Sequence, residues 1–262
     1  MSIERIGAVM LQELYITKRS LEVIVDLFFT SLMTVIVFGF VTRFLVGALS
    51  SSTGAYLILG LLLWEVIRVN QYSLSVGSLW NIWARNLSNM FIAPLSAAEY
   101  LVAHMLSGLA KTFCIFVMIS AIAAYGFHFN ILRLGLTNLA LFFANLTVFA
   151  WSVGLILLGV IFVFGTRIQA LAWGLIFLFQ PLTAAFFPLS VLPPVLRQVA
   201  YGLPPTFVFE AARRALSRAD VDWTSAARAS GENLVYFMLA LFVFNRLFAH
   251  SRKTGQFARS EG

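Results

Sequence analysis

The chain has 262 residues, 60% of them hydrophobic and only 11% charged, with a mean hydropathy of +0.89. That composition excludes an ordinary soluble domain; it leaves room for roughly five to seven membrane spans and for no separate soluble module. The formal charge of +7 fits anionic lipid headgroups better than nucleic acid, because the basic residues are scattered between apolar runs and not gathered on one surface.

Ser2 to Leu21 reads as an amphipathic helix in the membrane interface, with Ile3, Ile6, Met10, Leu14, Thr17 and Leu21 in one stripe and Arg5, Gln12 and Arg19 opposite. Its charges leave no apolar core for a cleavable signal, so span 1 is expected to act as its own insertion signal. Span 1 covers about Glu22–Val46, with Asp26 and Arg43 near its ends, where both can reach headgroup level. A polar turn, Gly47–Gly54, leads to span 2, Ala55–Trp80, which carries Glu65 and Arg68 on one face. An ionisable residue at that depth is either a functional group or half of a self-neutralising pair against a neighbouring helix. Asn81–Leu95 is mixed polar and aromatic and too short to span; Pro94 ends it. Ser96 and Glu99 then form an S-x-x-E capping box that starts span 3, Ala97–Phe127. Lys111 lies inside span 3, where it lines a path or snorkels.

His128–Leu134 is a short loop, span 4 draws on the uncharged run Leu134–Thr166, and Gly165–Gln169 is a tight connection. Span 5, Ile168–Phe187, opens an uncharged run of 29 residues that ends at Leu196. Six of the seven prolines fall between Pro181 and Pro205, so no straight helix runs through. Two readings fit: a helix that breaks near Phe187–Pro188 and turns back as a re-entrant hairpin shielded by protein, or a helix end followed by an ordinary outer loop. Thr206 is expected to cap a short helix whose Glu210 lies early and whose Arg213, Arg214 and Arg218 lie late, the order the helix dipole favours. Span 6, Gly231–Ala249, has an uncharged stretch of only 13 residues and is the weakest by hydropathy. A polar tail, 250–262, ends the chain. Six spans put both termini on one side; nine Lys/Arg fall on that side and seven on the other, which makes the termini cytoplasmic.

The sequence has no G-x-x-x-x-G-K-[ST] phosphate loop and no H-E-x-x-H motif. His104, His128 and His250 are too far apart in sequence to suggest a metal site, and no metal is expected. The single cysteine, Cys114, reads as a buried small hydrophobe. Asp220 and Asp222 read as solvated or, at most, as a weak cation contact.

Two motifs carry a resemblance. The first is Arg85-Asn-Leu, then Ala93-Pro94-Leu95-Ser96, then Glu99-Tyr100. The second is Phe187-Pro188-Leu189-Ser190, Leu192-Pro193, Leu203-Pro204, Thr206, Glu210-Ala211 and Arg213. With the helix layout they resemble the ABC-2 family of ABC-transporter membrane subunits, over nearly the whole chain. The resemblance implies an all-α integral membrane protein forming one domain over 1–262: an interfacial helix (1–21), a six-span bundle (22–249) with a re-entrant hairpin between spans 5 and 6, and a cytoplasmic tail (250–262). It implies a permease subunit in the cell inner membrane that exports a lipophilic, lipid-linked, polysaccharide or drug-like substrate and has no catalysis of its own. MgATP would be handled by two copies of a separate cytoplasmic ATPase subunit, and a second permease copy or paralogue would complete the transporter. On this resemblance Trp83, Arg85, Asn86, Leu87, Met90 and Phe91 contact the ATPase. Phe187, Pro188, Leu192, Pro193, Pro204, Thr206, Glu210 and Arg213 form the outer gate. Spans 1 and 5 lie near the permease–permease interface.

Two other classes compete. An ion-coupled secondary transporter or channel would use Glu65, Arg68 and Lys111 as one site. An intramembrane enzyme would use Asp220, Asp222 or His128.

Overall fold

The computed structural model describes residues 1–48, 51–218 and 220–255; the side chains of 45–48, 51–53, 88 and 91 are not among those described. Among the described residues the chain is all helical, with no strand. The helices are α1 (Ile3–Arg19), α2 (Leu21–Ile24), a π-helical turn (Val25–Phe29) that continues into α3 (Thr30–Ala48), α4 (Ser51–Trp83), α5 (Leu87–Ile92), α6 (Ala97–Phe127), α7 (Leu136–Phe164), α8 (Gln169–Leu182), α9 (Pro194–Ala200), α10 (Pro204–Ala215) and α11 (Trp223–Thr254). Five helical stretches are long and apolar enough to cross a membrane: Leu21–Phe44, Gly54–Trp83, Ala97–Phe127, Leu136–Leu182 and Trp223–Thr254. This is consistent with a multi-pass membrane protein.

The centre of the bundle is α4, whose most apolar window is 94% buried; the corresponding windows of α6 and α11 are 33% and 22% buried. Yet α4 is the least hydropathic of the five. In lipid the polar side chains turn inward, where they find partners. Asn70, Ser73, Ser75 and Ser78 each donate to the carbonyl one turn back, and the Tyr100 hydroxyl of α6 donates to Ser78 at 2.9 Å. Conversely, α6 turns Phe113, Val117 and Cys114 outward. Cys114, expected to be buried, is therefore exposed: an apolar run in such a helix marks the outer face as readily as the core.

The expected apolar stripe of α1 is only in part its buried face: Thr17 is buried and Ile6 and Met10 pack half-buried on the core, but Ile3 and Leu14 are exposed and Val9 and Glu13 are buried instead. The helix is rotated so that part of its polar side docks on the bundle. Gln12 donates to Asn81 at 2.8 Å, and Arg5 pairs with Glu99 at 2.9 Å and donates to the Pro94 carbonyl. The backbone N–H of Ser2 also donates to Glu99, at 2.7 Å. Ser96 and Glu99 form the expected capping box at the start of α6. The N-terminus, the α4–α6 connection, the turn after α7 and the end of α11 share one end of the bundle. Trp83 stacks on Trp173 of α8, and Ser251 of α11 donates to the Phe162 carbonyl of α7.

The longest apolar stretch, Leu136–Leu182, is interrupted at Gly165 (φ 64°, ψ −145°) and by the 3-10 turn that follows it. Only glycine adopts that backbone region cheaply. The remainder, α8, has 14 residues and is about 21 Å long, shorter than a bilayer core of about 30 Å. Phe179, near its end, packs on Phe149 midway along α7. Beyond α8 the chain turns through Ala184 (φ 52°) and a 3-10 turn at Leu189–Val191 into α9 and then α10. The turn joining them is exposed at Tyr201 and Gly202 and lies alongside α11. The Gly202 carbonyl accepts from the Tyr236 hydroxyl at 2.7 Å, and Tyr236 stands thirteen residues into α11, about 20 Å along it. Thr206, expected to cap α10, does not. The helix starts at Pro204, whose fixed φ and missing N–H suit the first helical position, and Thr206 is buried in its first turn.

The stretch expected to be weakest by hydropathy lies in a 32-residue helix, α11, one of the five helical stretches long and apolar enough to cross a membrane. Asp222 moves its start eight residues before Gly231: its Oδ1 accepts from the Ser225 N–H at 3.0 Å and its Oδ2 pairs with Arg214 at 2.7 Å. The polar first turns are held by Arg228–Glu232 (3.3 Å) and by Asn233, which donates to Asn145 of α7 at 2.9 Å. The polar turn expected at Gly47–Gly54 is correspondingly short, since α3 runs to Ala48 and α4 begins at Ser51. The Ser225 N–H, aided by Arg214, holds the Asp222 carboxyl below the usual carboxylate range. A depressed folded pKa stabilises above the unfolded value of about 3.9, and that contribution is lost as pH falls through the folded one. Asp222→Ala is therefore expected to cost about 1 kcal/mol at pH 7. Its difference from the parent protein, followed by thermal unfolding in detergent, should shrink as pH is lowered below that range.

Candidate functional site

Glu65 and Arg68 form a buried ion pair at 2.7 Å on one face of α4. A pair alone rarely offsets the cost of taking two charges out of water, so the surroundings matter. Ser31 of α3 lies 2.5 Å from Glu65 Oε2 and accepts from Arg68 Nη2 at 2.7 Å. Arg68 Nη1 donates to the Asp26 carbonyl at 3.2 Å, and Nη2 reaches that of Leu27 at 3.4 Å. Both carbonyls belong to the π turn, whose i→i+5 bonding departs from the regular α ladder.

The same turn presents the Asp26 side chain. Its Oδ2 accepts from the Tyr72 hydroxyl at 3.0 Å and from Trp173 Nε1 at 3.3 Å. Asp26 and Trp173 stand between two adjoining cavities. The outer, of about 540 Å³, is lined by Leu21, Glu22, Val25, Trp80 and Trp83 besides these two. The inner, of about 130 Å³, continues past them to Thr30, Arg68, Gln71 and Phe177. Trp80 meets Trp83 edge to face at 4.9 Å, and Trp83 stacks on Trp173 at 5.9 Å.

Lys111 does not join Glu65 and Arg68. Its Nζ meets Glu13 of α1 at 2.9 Å, and His104 Nδ1 lies 3.7 Å from the other oxygen of the same carboxylate. The three residues of the ion-coupled reading are thus not one site. Lys111 reaches toward the start of its own helix, as side chains on a helix lean. Gly77 of α4 backs the cluster: a Cβ there would sit 3.5 Å from His104 Nδ1 and 3.6 Å from Glu13 Oε2.

The predicted ATPase-contact residues divide. Trp83 is 38% exposed; Arg85 is exposed, in the left-handed region at φ 51°; Asn86 is half-buried. Leu87 and Met90 are buried in the chain's own core, anchoring α5. The side chain of Phe91 lies outside the described ones. Asn89 and Ile92 are exposed beside them.

The second motif converges at the other end. Glu210 accepts from the Leu189 N–H at 3.0 Å and pairs with Arg213 at 2.8 Å; Arg213 donates to the Ala184 carbonyl at 2.9 Å. The next carbonyl, Ala185, lies against Gly60 of α4, where a Cβ would be only 2.1 Å from its oxygen. Pro188, Glu210 and Arg213 line a cavity of about 510 Å³ together with Tyr56, Arg218 and Asp222. Phe187 is half-buried, Leu192 is buried, and Pro193 is exposed just before α9; Pro204 and Thr206 are buried at the start of α10. Of the residues named for an enzyme, Asp222 is committed to its cap and His128 closes α6 as a left-handed C-cap. No family model matches the sequence, and no curated protein matches it.

The sequence did not single out Glu13, Trp80 or Trp173, and it read Asp26 as a headgroup contact. Glu13 had a usable signal: it lies one turn before Thr17 of the expected stripe and one turn after the apolar Val9. Lys111→Met should leave Glu13 buried without its ammonium partner and cost about 3–5 kcal/mol. Adding Glu13→Gln should recover much of this. Chemical unfolding of the three variants, monitored by circular dichroism, checks the pairing.

Proposed function

We propose that the chain is the membrane-spanning subunit of an ATP-driven exporter of the ABC-2 kind, working with a separate cytoplasmic ATPase. What carries the reading is that the residues of both motifs do mechanical work. Ser96 and Glu99 fasten the α4–α6 connection to α6 and to the N-terminus. Glu210 and Arg213 fasten the 183–191 loop to α10.

In this reading α1 lies in the inner interface, α2–α3, α4, α6, α7, α8 and α11 are the six spans, and both termini are cytoplasmic. The α8 crossing is completed by the loop that follows it, and α9–α10 is the re-entrant hairpin at the outer gate. The bond of the Gly202 turn to Tyr236, well along α11, supports this. Two such chains, or one with a paralogue, pair through α2–α3 and α8. MgATP closes the ATPase dimer, which pushes on α5 through Trp83, Arg85 and Asn86, and the spans move between inward- and outward-facing states. The pairing of Lys111 with Glu13, and not with Glu65 or Arg68, favours this reading over the ion-coupled one.

The test is purification of the tagged chain from its native membranes. An ATPase subunit in equal amount, with hydrolysis that depends on the complex, supports the reading; a chain that comes out alone and still moves a solute overturns it. Replacing Trp83 and Arg85 by alanine should lower stimulated ATP hydrolysis at least tenfold while the complex still elutes intact. On a background with Cys114→Ser, a cysteine at Ser190 should react with an impermeant maleimide in intact cells and one at Asn89 should not. The reverse pattern would invert the topology.

A further inference from the structure

The cavity between α2, α4 and α8 combines two features. Its walls carry three of the protein's six tryptophans, Trp80, Trp83 and Trp173, with one ring edge-on to the next and two nearly parallel. Its acidic groups are Glu22 and Asp26. Neither forms an ion pair among the described residues. The Asp26 carboxylate is held at one oxygen by two neutral donors, Tyr72 and Trp173, and Oδ1 has no partner among the described residues. The nearest basic group on the cavity wall is Arg68, which is consumed by Glu65, Ser31 and two carbonyls. Aromatic faces and an uncompensated carboxylate attract the same thing: a positive charge carried on an apolar group. The outer cavity's 540 Å³ falls within the range of small-molecule sites.

We propose that this cavity binds an alkyl-substituted ammonium ion, with the tryptophans around its methyl groups and Asp26 opposite its charge. Glu22, exposed at the mouth, draws the cation in, and the inner cavity past Asp26 accommodates a short apolar substituent. Trp173 has two tasks: it contributes a ring to the cage, and its N–H fixes the carboxylate. The ammonium can come from a lipid headgroup or from a free solute. The proposal stands on these residues whether or not the chain works with an ATPase, since binding is read on the isolated full-length chain.

The experiment is a tryptophan-fluorescence titration of the full-length protein in nanodiscs of phosphatidylglycerol, which lacks an ammonium headgroup. Choline is compared with its uncharged isostere 3,3-dimethylbutan-1-ol and with N-acetylglucosamine. A saturable change with choline, at least tenfold weaker with the isostere and absent with the sugar, supports the site. Asp26→Asn should weaken choline binding at least tenfold, Glu22→Gln about threefold, and Trp83→Leu should remove most of the signal. Glu22 and Trp83 are exposed, so these two variants keep the test sharp if Asp26→Asn does not fold. Equal binding of choline and its isostere, binding of the sugar in place of choline, or no saturable response overturns the proposal. In phosphatidylcholine nanodiscs, at least fivefold weaker choline binding identifies the lipid headgroup as occupant; unchanged binding identifies a soluble cation.

Discussion

Arg68 cannot lose its charge and is largely buried, so the N–H groups it carries need oxygens to meet. Glu65 supplies the neutralising charge from the same helix, which would suffice for the net charge but not for the geometry. The remaining acceptors come from the first membrane helix, and a regular α-helix keeps its carbonyls for itself. Two carbonyls of the π turn at Val25–Phe29, those of Asp26 and Leu27, accept from Arg68. The defect in α2–α3 and the charge in α4 therefore need one another. Because the turn fixes where Asp26 points, the tryptophan-lined cavity depends on the same contact.

Each end of the bundle repeats the logic on a smaller scale. A carboxylate is used as a clamp on backbone: Glu99 on Ser96 and Ser2, Glu210 on Leu189, Asp222 on Ser225. In each case an arginine accompanies it, so the clamp stays neutral. Segments too irregular to hold themselves by regular hydrogen bonding are thus secured by charged pairs. Ala184 is the clearest instance. It sits in a region that costs a non-glycine residue about 1–2 kcal/mol, with its carbonyl gripped by Arg213.

Much of this was legible beforehand. The helical class followed from apolar runs and the start of α6 from Ser96 and Glu99; the prolines marked the broken segment, though α8 ends at Leu182, before the expected break near Phe187–Pro188. Span 6 was misjudged because hydropathy counts polarity as a loss, whereas Asn233 and Asp222 are what extend α11. The true face of α1 was hidden because its docking strip is a glutamate between valine and threonine, and only the distant Lys111 makes that strip favourable. Cys114 was misplaced because outside and inside are equally apolar in a helix surrounded by lipid. The tryptophan cavity was invisible for a different reason: its walls come from residues 22–26, 80–83 and 173, and nothing local links them.

The attachment of α1 has a mechanical side. The helix is pinned at its first turn by Glu99 and near its middle by Lys111, two residues twelve apart on α6. A rod fixed to another rod at two points has no free rotation about either, so α1 acts as a splint along α6. Torque applied at the α4–α6 connection is then not dissipated by bending there; it turns α1 and α6 as a single stiff lever.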